Sequence, residues 1–260
     1  MKIGIVGCGY VGKAVAKMFV RQHDITIQDP DAGEAGDVNR DMCDVVFVCV
    51  PTPMDESGQC DTSIVEAVVT SVKAPMIILK STVAPGTTDA MIQATGKNIV
   101  FSPEYAGESS YWSSHAFHRD MVATPFFCFG GAPKNTSKCV DLYLTVAGPE
   151  KRYIQTTAKT AELAKYAENT FFATKIMFCY EFAKICEAHG ADWNSVREVW
   201  LADPRINPMH TAAFARNERP FGGKCLPKDL SAIIESSSEE GHFPRLLVLV
   251  QDMNENWKKR

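Results

Sequence analysis

Cys225 lies in the run Phe221-Gly222-Gly223-Lys224-Cys225-Leu226-Pro227-Lys228-Asp229. Two glycines leave backbone bare beside the thiol. Lys224 and Lys228 favour the thiolate, which is the nucleophilic form, and Asp229 is placed to act as a base. Most cysteines are buried and inert; Gly-Gly before this one and Lys-Asp after it argue against that here. Lys165 and Asn169 are four residues apart and so share a helix face. A cation beside an amide can hold a developing alkoxide or oxyanion, although spacing alone fits a solvated lysine better. Glu104, in Ser102-Pro103-Glu104-Tyr105, follows an apolar run. A carboxylate at a strand end can order water or be a plain surface acid, and position alone does not separate the two.

A second group of residues suits a dinucleotide. Gly7-x-Gly9-x-x-Gly12 follows an apolar run and opens a stretch of helical spacing. Gly7 permits the tight turn, Gly9 admits a pyrophosphate to the backbone, and Gly12 lets helix and strand pack closely. The helix N-terminus offers free N–H groups and a positive dipole end. Asp29 closes the second apolar run, where a carboxylate binds the adenosine ribose 2′-hydroxyl and repels a 2′-phosphate, so NAD is expected over NADP. Two further loops follow apolar runs: Pro51-Thr52-Pro53, and Ser81-Thr82 through Thr88. In an open parallel sheet such loops border the ligand crevice, and their hydroxyls can reach a cofactor or water. Pro, Thr and Gly also simply make turns.

These residues need a frame. Apolar runs at 2–6, 24–28, 44–50, 75–79, 98–101, 122–129 and 153–156 read as strands, and 11–20, 62–72 and 137–146 as helices. Strands alternating with helices give an α/β, Rossmann-like, doubly wound parallel sheet. Residues 157–189 contain neither glycine nor proline and read as one long connecting helix, or two shorter ones with a kink, capped by Gly190. Helical stretches at 192–201, 230–236 and 244–257 make a small helical domain, with a loop over 203–228. The expected division is 1–157, an NAD-binding domain, and 158–260, the connecting helix with a middle, dimerising domain.

Composition narrows the function. The chain has 260 residues and a formal net charge of −4, which gives no reason to expect nucleic acid. Nine irregularly spaced cysteines, an odd number without C-x-x-C, argue against disulfides and a zinc site and for a reducing cytoplasm. No run reaches the roughly 18 apolar residues of a membrane span. The apolar start is broken by Lys13, Lys17 and four glycines, unlike a signal peptide.

Taken in order, GIVGCGYVG, VPTP, STVAPGTT, SPEY, ELAKYAENTFFATKI and FGGKCLPKDL resemble the UDP-glucose/GDP-mannose dehydrogenase family over nearly the whole chain. The resemblance implies oxidation of a nucleotide sugar's primary alcohol to the acid with two NAD molecules in succession, in a homodimer. By motif, Cys225 matches the nucleophile that captures the aldehyde. Lys165 and Asn169 match the groups that stabilise the alkoxide and oxyanion, and Asp229 matches the carboxylate that positions water. Glu104 and Thr82 match residues that assist thioester hydrolysis. Lys228 matches a second cation near the sugar, with Gly222 and Gly223 on the substrate side. Arg205 matches an arginine reaching the partner's substrate, and Tyr10 and Val11 complete the cofactor turn.

Three features depart from the pattern. Family members usually carry a third, nucleotide-binding domain near where this chain stops, which a separate subunit could supply. The segment after Asp29 lacks a common lysine, and Asn207-Pro208 stands where glycine is usual after Arg-Ile. Rival readings are a β-hydroxyacid or 6-phosphogluconate-type dehydrogenase, which needs no Gly-Gly-x-Cys, and a non-catalytic NAD-binding remnant.

Overall fold

The structure, a computed structural model, describes residues 1–105, 120–213 and 220–257. Eight strands form one sheet: β1 (Lys2–Val6), β2 (Asp24–Asp29), β3 (Glu34–Ala35), β4 (Val45–Val48), β5 (Ile77–Leu79), β6 (Ile99–Phe101), β7 (Phe126–Gly130) and β8 (Arg152–Thr156). Their order is β3-β2-β1-β4-β5-β6-β7-β8. The chain winds outward from β1 in both directions, which places the switch point between β1 and β4. Pairing is parallel except at the β2–β3 and β6–β7 junctions.

The apolar runs are nearly continuous because the sheet is covered on both faces. Ile3, Ile5, Val45, Phe47 and Ile78 enter one core, with Val15, Met18 and Phe19 of α1 (Tyr10–Phe19) and Leu142 and Tyr143 of α4 (Pro133–Ala147). Their alternate neighbours Val6, Val46, Val48, Ile77 and Leu79 enter the other, with Val65 and Val69 of α2 (Ser63–Ser71) and Met91 of α3 (Thr87–Thr95). Each such side chain, fully buried, contributes roughly 1.5–3 kcal/mol.

The residues after β8 form α5 (Ala158–Ala188), α6 (Trp193–Leu201), α7 (Leu226–Glu239) and α8 (Arg245–Glu255). The long segment is one helix of 31 residues, not two. Ala173, Ile176, Met177 and Tyr180 of α5 pack with Phe221, Leu230 and Ile234, and with Val250 of α8. Cys179, Ala183 and Cys186 pack with Trp193 of α6. Two compact units result: Met1–Pro53 with Asp61–Lys165, and Met54–Cys60 with the chain from Tyr166 on. The dividing point in the latter part of the chain lies in α5, between Lys165 and Tyr166. None of the described helices is long and apolar enough to cross a membrane.

Several elements differ from the sequence reading. The strand expected over 122–129 begins only at Phe126: Met121–Ala123 is a 3₁₀ turn, and Pro125, which lacks an N–H, precedes the strand. Helix α3 starts at the end of the Ser81–Thr88 loop and runs on through residues to which the sequence reading gives no element. The loop expected to Lys228 ends at Cys225, since α7 starts at Leu226 with Pro227 in its first turn. Pro133 likewise opens α4 before residue 137.

Candidate active site

In the first unit the glycine turn joins β1 to α1. Gly7 has φ +94°, and a Cβ there would lie 2.7 Å from Cys49 O; one on Gly12 would lie 1.9 Å from Gly7 O. A Cβ on Gly9 would meet nothing within 4 Å, so backbone is open to a ligand at that point. Helix α1 has no side-chain N-cap and no acid in its first turn, leaving its N-terminal dipole for an anion. Asp29 closes the turn: Cys8 N–H donates to its Oδ2 at 2.6 Å and Ala32 N–H to its Oδ1 at 3.2 Å. Its carboxylate is thus held beside the turn at the end of β2. Tyr10 is exposed, and Val11 packs against the first core. A dinucleotide pyrophosphate fits this cradle. Gly7, Gly9 and Gly12 are the residues that would hold it, and Asp29 would meet the adenosine ribose.

The loops after β4 and β5 are stitched together. Thr52 Oγ1 donates to Thr82 O at 2.8 Å, and Ser81 Oγ donates to Val50 O at 2.6 Å. Both hydroxyls therefore fix loop geometry with these protons, while Pro51 is exposed and Thr82 half-buried. The Ser81–Gly86 loop is also held from α5. Gly86 N–H donates to Glu162 Oε2 at 2.6 Å and Thr88 N–H to Glu162 Oε1 at 2.9 Å. Glu162 is completely buried, and burial raises its pKa against those hydrogen bonds.

Beyond β6, Glu104 lies 3.8 Å from the Nζ of Lys80, a buried lysine that follows β5. Burial lowers the Lys80 pKa; Tyr143, Glu104 and Cys49 outweigh it, and the net direction is up. Tyr105 turns its ring toward Lys165, whose Nζ sits 5.0 Å from the ring centroid, within cation–π range.

In the second unit, Asn169 Nδ2 donates to Asp229 Oδ2 at 2.5 Å, and Lys228 Nζ lies 2.6 Å from Asp229 Oδ1. Asp229 is 1% exposed and Asn169 6%, so this is a buried amide–carboxylate–ammonium set. Asp229 N–H donates to Cys225 O at 2.8 Å, closing the first turn of α7. Cys225 occupies the N-cap of that helix and is exposed, where backbone N–H groups favour an anion. Gly223, at φ +82°, has open space where a Cβ would be, and Gly222 beside it is half-buried. Arg205 stands apart from this set: its guanidinium is exposed and donates to both carboxylate oxygens of Asp203.

The sequence pairs Lys165 with Asn169. The structure gives each its own partner, Tyr105 for one and Asp229 for the other. Lys80 and Glu162 were missed. Lys80 stands directly before Ser81-Thr82, and a lysine ending an apolar run is the signal that could have found it. Glu162 carried no local signal, because its partners lie more than seventy residues earlier.

Fold and glycine turn together define an NAD-binding protein of Rossmann type. A model of the UDP-glucose/GDP-mannose dehydrogenase family's NAD binding domain matches residues 36–143, and one of its central domain matches 159–256. The chain belongs to that family, and with it to the NAD-dependent nucleotide-sugar dehydrogenases. It is similar to the UDP-glucose 6-dehydrogenase of Haloferax volcanii, at 27% identity over all of this chain and 71% of the relative. A solved UDP-glucose dehydrogenase from Pyrobaculum islandicum superposes with a TM-score of 0.83 at 26% identity, over 98% of this chain and 68% of that one. The Mycobacterium tuberculosis 3-hydroxyisobutyrate dehydrogenase shares the fold, with a TM-score of 0.72 at 18% identity, over 98% of this chain and 93% of that one.

Proposed function

We propose that the chain oxidises the primary alcohol of a UDP-glucose-like nucleotide sugar to the carboxylate through a thioester on Cys225. The observation that carries this is the exposed Cys225 at the head of α7, one turn before a buried Asp229 held by Asn169 and Lys228. A dehydrogenase that stops at a ketone or aldehyde needs no such nucleophile, which sets this reading apart from the β-hydroxyacid type.

When bound, NAD supplies the two hydride acceptances, one per oxidation, in two successive molecules. Lys165, or a water beside it, takes the alcohol proton and Asn169 steadies the oxyanion. The Cys225 thiolate adds to the aldehyde carbon, giving a thiohemiacetal whose oxidation leaves the thioester. Water ordered by Asp229, Glu104 and Thr82 attacks the acyl carbon, and sulfur departs. The alcohol carbon thus loses four electrons and gains one oxygen from water. Gly222, Gly223, Lys228 and Arg205 serve the sugar nucleotide. The first unit is the cofactor domain and the second the dimerising domain of a homodimer, in a reducing cytoplasm where all nine cysteines persist as thiols. A partner that supplies further nucleotide contacts is compatible with this scheme.

The test is a panel of nucleotide sugars scored for NADH and for acid. Two NADH per acid released, with UDP-glucose or a near relative preferred, supports the reading. One NADH per turnover, with no acid formed, excludes it.

A further inference from the structure

Lys80 has no part in the reaction set out above. It is 4% exposed at a sheet position where apolar residues are usual, and a buried ammonium is costly unless a counter-charge and hydrogen bonds meet it. Its Nζ donates to Ser102 Oγ at 3.2 Å and lies 3.8 Å from Glu104 Oε2. Among the described residues, the other titratable groups around it are Cys49, Cys128, Cys139 and Tyr143 of α4. Burial raises all four, Cys49 and Cys139 to about 12, so they are neutral at ordinary pH. Glu104 is the one carboxylate ion-paired with this cation among the described residues. Its other oxygen, Oε1, accepts Tyr105 N–H at 2.8 Å. One oxygen is fixed by backbone and the other faces an ammonium locked in the core.

We propose that Lys80 is a positioning residue for thioester hydrolysis, aiming the Glu104 carboxylate at the attacking water. The proposal rests on the Cys225 and Glu104 roles above. In that step the water oxygen bonds to the acyl carbon, the C–S bond breaks and sulfur leaves as the Cys225 thiolate. One water proton passes to Glu104, the second is shed to solvent from the new acid, and no redox partner is needed.

The experiment acylates the full chain with p-nitrophenyl acetate and follows the acyl group on Cys225 by intact mass, with Cys225→Ala as the blank. Hydrolysis is thereby read without hydride transfer or sugar. Lys80→Met should take up acyl and bind NAD as wild type does, yet lose it about 10- to 100-fold more slowly, the low end of a general acid–base contribution. Lys80→Arg should recover part of that loss. Glu104→Gln should be comparably slow, and the double variant no slower than Glu104→Gln, as for residues acting as one unit. Hydrolysis by Lys80→Met within twofold of wild type overturns the proposal, as does a double variant in which the two losses multiply. Equal slowing of acylation and hydrolysis also overturns it, because that marks a merely structural lysine. If Lys80→Met fails to fold, Lys80→Gln and Lys80→Arg carry the same comparison. A wild-type chain that takes no acyl group on Cys225 instead sinks the nucleophile assignment itself.

Discussion

Cys225 and Cys49 show how environment sorts identical thiols. Burial pushes Cys49 and Cys139 up to about 12 and Cys179 to about 11. At pH 8 a thiol of pKa 12 is thiolate in only about one part in ten thousand. Cys225 is exposed at a helix N-terminus, so iodoacetamide should label it ahead of those three. Its mutation to serine should cut acid formation by roughly two to four orders of magnitude while NAD still binds. Wild-type acid output from Cys225→Ser would end the nucleophile assignment. Asp29 offers a second test at this scale. Asp29→Ala also removes the Cys8 anchor, so affinity alone is ambiguous, and the ratio of NAD to NADP binding is the cleaner readout. That ratio should fall about tenfold, the worth of one charge-assisted hydrogen bond; an unchanged ratio would show that the carboxylate does not read the ribose. The motif residues were legible because their types are unusual for their positions. Glu162 was not, since an ordinary Glu gains its meaning only from neighbours that the fold brings to it; Lys80 showed only as a lysine ending an apolar run, which marks a position but gives it no role.

Helix α3, like the two-residue strand β3, is an element that the sequence hid. Five of its nine residues, three Thr, Asp and Ile, are weak helix formers behind a Pro-Gly turn, and its N-terminus is held by Glu162 of another helix instead of by a local cap. Glu162→Ala leaves two backbone donors without their acceptor and should cost about 2–4 kcal/mol. The pH dependence has a definite sign. With its pKa raised by burial, native Glu162 keeps a proton that the unfolded chain sheds near pH 4.3, its usual value of about 4.3. Stability from this group is therefore present below that pH and declines as pH rises through the raised value. Denaturant melts of wild type and Glu162→Gln across that range should show the wild-type advantage shrinking with pH; a growing advantage would reverse the assignment. The starts of α4 and α7 were legible in principle, since each has proline in its first turn, the helix position that tolerates it. Strand patterns were clear where both faces are buried, as at β4. They misled at 122–129, where a turn and a proline interrupt apolar residues.

For the molecule as a whole, the βαβ rhythm made the doubly wound sheet legible, but not the reversal at β7, because apolar runs carry no direction. Association is the open property at this scale. Phe171, Phe178, Phe182 and Ile185 of α5 are 60%, 50%, 37% and 42% exposed at spacings that keep them on one side of the helix. Burying such side chains favours a dimer, each being worth roughly 1.5–3 kcal/mol when fully covered. Light scattering at micromolar concentration should give twice the chain mass, and Phe178→Glu with Phe182→Glu should give one; a monomeric wild type would refute the dimer. Tyr143 carries a different consequence. Its ring meets Phe19, Phe47, Phe127 and Phe129 at centroid distances of 5.2, 6.4, 4.8 and 4.9 Å. Two of these partners are made early in synthesis, and their cover arrives about a hundred residues later. A nascent chain stalled before α4 therefore carries β1 and β4 with that face covered by α1 alone, the kind of partly exposed apolar sheet that chaperones hold, and the first core closes only when the ribosome has passed Tyr143.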